Sequence, residues 1–294
     1  MTTRRDFLLA VGASALAPAA LRAAERAHAR HEAPDDMYTP ARAGTLKGVG
    51  IQMYMMRDEM KADLDGSLAR VARLGYEEVE WWGSWGRTPA QLRTLLDGLG
   101  LRAPTQHVGS DAFAPAAVDA TLDAAATLGH HTVICAGMGV GYTDDADGWK
   151  RAAELFTAAG AKAAPLGIRV GYHNHAREFK KHGGVSALEI MIRASDPATV
   201  DFQLDCFWAF KGGQDPLAFL RAHKDRIAQL HLKDAAAAAP NAQVDLGKGT
   251  IDWRAIIATG VSQRVTNITL DLDDPADAWA SAGSCRAYLR GLGY

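Results

Sequence analysis

The segment Arg169 to Phe179, RVGYHNHAREF, constrains this chain more than any other stretch. It leaves Gly167 as an apolar run, its period-two alternation turns His173 and His175 to one face with Asn174 on the other, and it ends in charge. Three further apolar runs end in the same way: FQLDCFW with Asp205, IAQLHLKD with His231 and NITLDLDD with Asp271. These four strand ends, offering His, Asp, His and Asp over about a hundred residues, meet only if their strands run parallel with the C-terminal ends together. A parallel barrel does this.

The remaining pattern supplies the other units. Strand-like runs occupy Gly48 to Tyr54, Glu77 to Trp82, Leu101 to His107, Thr132 to Ala136, Ile168 to His175, Val200 to Asp205, Ile227 to Lys233 and Asn267 to Asp271. Helical spacing covers Leu64 to Leu74, Pro89 to Leu99, Pro115 to Leu128, Trp149 to Leu166, Ser186 to Ala194, Pro216 to Ala222, Trp253 to Thr259 and Asp277 to Leu289. Eight strands alternating with eight helices predict a single (β/α)8 TIM barrel, an α/β fold, over residues 47–294. Leu74-Gly75, Leu99-Gly100, Leu128-Gly129 and Leu166-Gly167 each place glycine where a helix would end in a left-handed cap.

The N-terminus differs in kind. Twin arginines, Arg4 and Arg5, stand directly ahead of a weakly apolar, alanine-rich run from Leu8 to Leu21, as in a twin-arginine export signal. Residues 1–30 are therefore expected to be that signal, residues 31–46 a linker, and the mature protein periplasmic, without a membrane anchor. A formal net charge of −2 leaves no basic excess to neutralise a phosphate backbone, so nucleic acid is not an expected partner. Cys135, Cys206 and Cys285 form no CxxC pair and read as small core residues.

In a barrel of this kind chemistry sits at the C-terminal strand ends. Those ends offer Gln52, Tyr54 and Arg57, then Glu80, Trp81 and Trp82, then Gln106 and His107, followed by His173, His175, Asp205, Trp208, His231, Lys233, Asp271 and Asp273. His173, Asp205, His231 and Asp271 make a mixed nitrogen and oxygen shell of charge −2, suited to Mn²⁺, Zn²⁺, Co²⁺ or Fe²⁺ more than to Mg²⁺ or Ca²⁺. His107, His175 and Glu80 are candidate bases, although His107 could instead orient a ligand, His175 could do so for Asp205, and Glu80 could pair with Arg57. Lys233 could face a developing oxyanion, or pair with Asp234 or Asp205. Gln52, Tyr54, Trp82 and Trp208 are candidates for substrate binding, the indoles as platforms for the apolar face of a sugar or as core filling. Gly247 and Gly249 in DLGKGTIDW read as a tight turn more than as a phosphate cradle.

GIQMYMMRD, GYHNH, QLD, HLKD, GKGTIDW and TLDLDD, in this order and spacing, resemble the sugar phosphate isomerase/epimerase family of xylose isomerase-like TIM barrels over nearly all of the chain after Lys47. The resemblance implies one divalent metal, often manganese, held at strand ends five to eight, here by His173, Asp205, His231 and Asp271. In the ketose epimerases of that family the strand-five and strand-eight ligands are glutamates that also move the proton, whereas this chain has His173 and Asp271. The expected chemistry is proton abstraction next to a carbonyl of a non-phosphorylated sugar through a metal-stabilised enediolate, as an isomerase or epimerase. A 3-keto-glycoside lyase, expelling the aglycone by β-elimination, needs one base in place of two and is the alternative. A non-catalytic sugar-binding barrel is a third reading. An endonuclease IV-like activity fits poorly, because it needs more metal ligands and a basic groove. A small carbohydrate is the expected partner, and self-association stays open.

Overall fold

The computed structural model describes residues 46–139, 141–143, 145–239 and 242–294. The expected export signal, and the linker apart from its last residue, lie outside the described residues. Eight strands close into a barrel: β1 Val49–Gln52, β2 Glu78–Trp82, β3 Arg102–Val108, β4 Thr132–Cys135, β5 Arg169–His173, β6 Val200–Asp205, β7 Ile227–Leu232 and β8 Asn267–Leu270. All neighbours are parallel, and β8 returns to β1 with Val49 opposite Ile268 and Ile51 opposite Leu270. The outer helices are α1 Leu64–Leu74, α2 Pro89–Gly98, α3 Val118–Leu128, α4 Ala146–Ala163, α5 Ala187–Ala194, α6 Pro216–Ala222, α7 Trp253–Gln263 and α8 Ala278–Leu292. This is the single (β/α)8 barrel that the strand and helix periodicity predicts.

Local chemistry explains the element ends. Strands β6 and β7 are buried at every residue, since one face fills the barrel and the other lies under helices. Helix α2 starts at a capping box of Thr88 and Gln91 with proline at its first turn, and α5 starts at one of Ser186 and Glu189. The glycine stops act as read: Gly75 and Gly129 take left-handed φ of 89° and 83°, values that a side chain would strain. Among the described residues no helix is long and apolar enough to cross a membrane.

Three local departures matter for the site. Strand β1 stops at Gln52, whose Oε1 accepts the Tyr54 amide and turns the chain into a 3₁₀ segment, Met53–Met56, so Tyr54 stands beyond the strand and is 41% exposed. Strand β5 stops at His173, because the buried Glu178 carboxylate accepts the His175 amide at 2.9 Å and the Tyr172 hydroxyl at 2.7 Å and so bends the next turn. A short helix that the sequence pattern did not announce, Cys206–Lys211, follows β6 directly, with Asp205 Oδ1 accepting the Trp208 amide at 2.8 Å. The DLGKGTIDW segment is the expected turn: it wraps the buried Asp234 carboxylate, which accepts the amides of Gly247, Gly249 and Ile251.

One buried histidine sits away from the barrel mouth. His130, just ahead of β4, donates from Nδ1 to the Ala103 carbonyl at 2.5 Å, and its Nε2 has no partner among the described residues. Burial pushes this imidazole down from 6.5 to about 4, so it folds neutral. Because the unfolded chain then binds the extra proton, stability is complete above about pH 6.5 and declines as pH falls toward 4, by on the order of 3 kcal/mol. Urea denaturation of His130→Asn, which keeps a donor for Ala103 but cannot titrate, should lose less stability between pH 7 and 4.5 than the parent chain; equal losses would refute this role.

Candidate active site

Glu80 lies at the centre of the site. It leaves β2 toward the barrel axis, is 1% exposed, and receives donors from four other strands. Its Oε1 accepts from Gln52 Nε2 at 2.6 Å, His231 Nε2 at 2.6 Å and His107 Nε2 at 3.0 Å. Its Oε2 accepts from Thr105 Oγ1 at 2.9 Å and Gln203 Nε2 at 2.6 Å. Burial opposes ionisation, but His107 and His231 hold the carboxyl well below the usual glutamate range. The pairing with Arg57 that strand order suggested does not form: Arg57 instead pairs with Asp274 and donates to the Asp273 carbonyl at 2.8 Å.

Around this carboxylate the imidazoles gather. The rings of His107, His173 and His231 lie 4.7 to 5.2 Å apart, centroid to centroid. His107 Nε2 faces two acceptors, Glu80 Oε1 and Gln203 Oε1, the latter at 2.8 Å, so this nitrogen carries the proton. His231 donates on both sides, from Nε2 to Glu80 and from Nδ1 to Asp271 Oδ2 at 3.2 Å. Burial works against its charge, yet Glu80 raises the His231 imidazole to about 10. His173 donates from Nδ1 to Gln203 Oε1 at 3.0 Å, and its Nε2 lies 4.0 Å from Asp205 Oδ2. Burial, reinforced by the cationic neighbours His231 and Lys233, holds His173 neutral.

The carboxylates hold a cation of the protein's own. Lys233 is fully buried, with Nζ 3.1 Å from Asp205 Oδ2, 2.5 Å from Asp271 Oδ2 and 2.8 Å from Asp273 Oδ1. These three partners outweigh burial and raise its ammonium above the ordinary lysine range. Asp271 is held well below the usual carboxylate range by Lys233 and His231 against its burial. Asp234, considered as a partner of Lys233, is instead spent on the 247–251 turn.

Asp205 differs from the others. Its Oδ1 caps the 206–211 helix, and its buried Oδ2 has the Lys233 ion pair but no further hydrogen bond among the described residues. Burial pushes the Asp205 carboxyl up to about 6 in spite of Lys233. Asn174 bridges its backbone from β5, accepting the Asp205 amide at 3.0 Å and donating to its carbonyl at 3.2 Å.

Three of the expected four, Asp205, His231 and Asp271, offer ligand atoms within 4.8 Å of one another, while His173 groups with His107 and His231 and has its Nε2 4.0 Å from Asp205 Oδ2. Two imidazoles and two carboxylates, with Asp205 Oδ2 held by Lys233 alone and His173 Nε2 without a hydrogen bond among the described residues, fit a divalent ion. Lys233 occupies the space between two of those carboxylates, so such an ion would contend with its ammonium. His107 joins His173 and His231 in a second group of three convergent imidazoles.

The other candidates fall into place by their bonds. His175 packs edge-on against His173 at 4.9 Å and tilts over Trp208 at 5.3 Å, and its ring makes no hydrogen bond among the described residues. Burial lowers its imidazole below the ordinary value, with Lys233 adding to the effect. Gln52 is buried with both ends of its amide engaged, by Glu80 and the Tyr54 amide. Tyr54 and Trp82 meet edge to face at 5.0 Å, and Trp85 extends that aromatic patch. Trp81, by contrast, is core, 1% exposed, and Trp208 carries the Lys211 ammonium on its ring at 4.5 Å. Gln203, Gln229 and Thr105 escaped the sequence reading. Period two back from Asp205 puts Gln203 on the same face, and that was the available signal.

The profile of the family described as xylose isomerase-like TIM barrel matches residues 68–272. Inosose dehydratases of Lacticaseibacillus casei and of Geobacillus kaustophilus (strain HTA426) are similar, at 30% identity over 93 residues and 24% over 192 residues. These alignments cover 32% and 58% of this chain and only 30% and 61% of the relatives' lengths. A sugar phosphate isomerase/epimerase from Parabacteroides distasonis ATCC 8503 shares the fold, with a TM-score of 0.74 at 24% identity over 86% of this chain and 96% of that one. The closed parallel barrel, the convergence of strand-end histidines and carboxylates, and a profile match over most of its length together show that this chain belongs to the xylose isomerase-like TIM barrel family.

Proposed function

We propose that this protein is a divalent-metal-dependent sugar enzyme that removes a proton from the carbon beside a carbonyl, and that the reaction is β-elimination from a non-phosphorylated keto-sugar or 3-keto-glycoside. The observation that carries the reading is His175. Burial favours its neutral form, its ring makes no hydrogen bond among the described residues, and it packs against His173, so it can accept a proton. Glu80, which reads as a base from its position alone, has five donors on its carboxylate and acts as the support of the cluster.

His173, Asp205, His231 and Asp271 would hold the metal, with Mn²⁺ the expected ion. Bound there, a divalent cation supplies positive charge against the carbonyl oxygen as the neighbouring carbon loses its proton. His175 takes that proton, the electron pair forms the new carbon–carbon double bond, the β carbon–oxygen bond breaks, and the imidazolium returns the proton to the departing oxygen. Lys233 stays with its three carboxylates, and the Tyr54–Trp82 patch and Trp208 offer faces for the sugar ring.

Epimerisation needs a second group on the opposite face of the substrate, and the acids that could serve, Glu80 and Asp271, are both engaged. Elimination needs one. The dehydratase names of the curated relatives agree with this. The twin-arginine reading of residues 1–30 supports a periplasmic workplace and hence an unphosphorylated substrate.

Two measurements follow. Incubating the Mn²⁺-loaded protein with a 3-keto-glycoside in D₂O should release the aglycone, and His175→Asn should slow release by roughly 10²- to 10⁴-fold while leaving Mn²⁺ affinity within a few-fold. A free ketose that took up deuterium without any release from the glycoside would overturn the lyase in favour of the epimerase. Lys233→Met leaves buried carboxylates without their cation and should cost about 3–5 kcal/mol in metal-free urea denaturation, much of it recovered on adding Mn²⁺. Loss without recovery would contradict a metal at this cluster.

A further inference from the structure

Gln203 stands two residues ahead of Asp205 on β6 and is 2% exposed. Its amide orientation is fixed from one side. Nε2 faces Glu80 Oε2 at 2.6 Å and Gln229 Oε1 at 3.1 Å, and the Glu80 carboxylate only accepts. Oε1 is thereby turned toward the imidazoles, 2.8 Å from His107 Nε2 and 3.0 Å from His173 Nδ1. For His107 this contact is redundant, since Glu80 Oε1 also receives Nε2. For His173 it is the one hydrogen bond of the ring among the described residues.

We propose that Gln203 is a positioning residue that fixes the tautomer of His173: by accepting the Nδ1 proton it leaves the Nε2 lone pair facing Asp205 Oδ2, ready for a cation. The inference rests on the metal reading given above for its consequence, but the tautomer itself does not depend on a metal. Information runs along one chain of bonds, from Glu80 through the Gln203 amide to the His173 ring. Reversing the amide would set its oxygen against the Glu80 carboxylate, which only accepts, so the orientation is fixed before either imidazole is considered. Partners of this kind, which orient a ligating histidine through its other nitrogen, change metal affinity by roughly 10- to 100-fold when removed.

The test uses long-range ¹H–¹⁵N spectra of the full-length, metal-free protein, with ring signals assigned by His107→Asn and His173→Asn. The wild-type spectrum should show His173 with its proton on Nδ1 and His107 with its proton on Nε2. Gln203→Met should abolish the His173 preference and leave His107 unchanged, and should weaken Mn²⁺ binding by roughly 10- to 100-fold in calorimetric titration. Gln229→Met, which removes the other neighbour of the same amide, should alter neither the tautomers nor the affinity beyond about twofold, separating positioning from general loosening of the core. A wild-type His173 protonated on Nε2, or a His173 tautomer untouched by Gln203→Met, overturns the proposal. A tautomer that responds as stated in a protein that binds no Mn²⁺ supports the role of Gln203 and overturns the metal reading alone.

Discussion

Charge buried at the mouth of the barrel is the constraint that the rest of this structure answers to. Glu80, Asp205 and Asp271 are almost fully withdrawn from water, and an uncompensated carboxylate there would cost several kcal/mol. The compensation comes from other strands: His231 spans Glu80 and Asp271, and Lys233 spans Asp205, Asp271 and Asp273. A parallel barrel is suited to this because each strand contributes one or two side chains to the same small volume while its helix seals it from outside. The loops serve the arrangement as well, since Glu178 holds the turn after β5 and Asp205 caps the helix after β6.

Within that network the chemically useful groups are those left over. Most side chains have each polar atom engaged, as Glu80, Gln52, His107 Nε2 and His231 do. Among the described residues the Nε2 of His173 and the ring of His175 make no hydrogen bond, and the Oδ2 of Asp205 is held by the Lys233 ion pair alone. In the proposed reading His173 and Asp205 would face the cation and His175 would move the proton. A metal bound here would not enter a neutral cavity but would displace charge already in place, the Lys233 ammonium and the second proton of His231. Asp271 in particular is drawn into the Lys233 and His231 pairs.

Much of this was legible in the sequence, for identifiable reasons. Strands and helices announced themselves through period and length, and the Leu-Gly stops marked where the chain turns back. The strand-end ring followed from the fold, because any parallel barrel gathers those ends. What could not be read was which partner each side chain chooses. Glu80 and His231 are 151 residues apart, and nothing in either segment announces a 2.6 Å bond between them. The Cys206–Lys211 helix was hidden because Asp205 is both a site residue and a cap, and the sequence suggested only the first. Tyr54 looked like the end of β1 because it follows an apolar run, and the Gln52 side chain, which ends the strand, has no pattern signal of its own.

Electron paramagnetic resonance on the protein titrated with Mn²⁺ tests the central claim most directly, by counting bound ions and the nitrogens coupled to them. The account predicts one tightly held Mn²⁺ per chain with two coupled imidazole nitrogens, one of which disappears in His173→Asn and the other in His231→Asn. Weak, unsaturable binding, or an ion whose spectrum is untouched by either replacement, would contradict it.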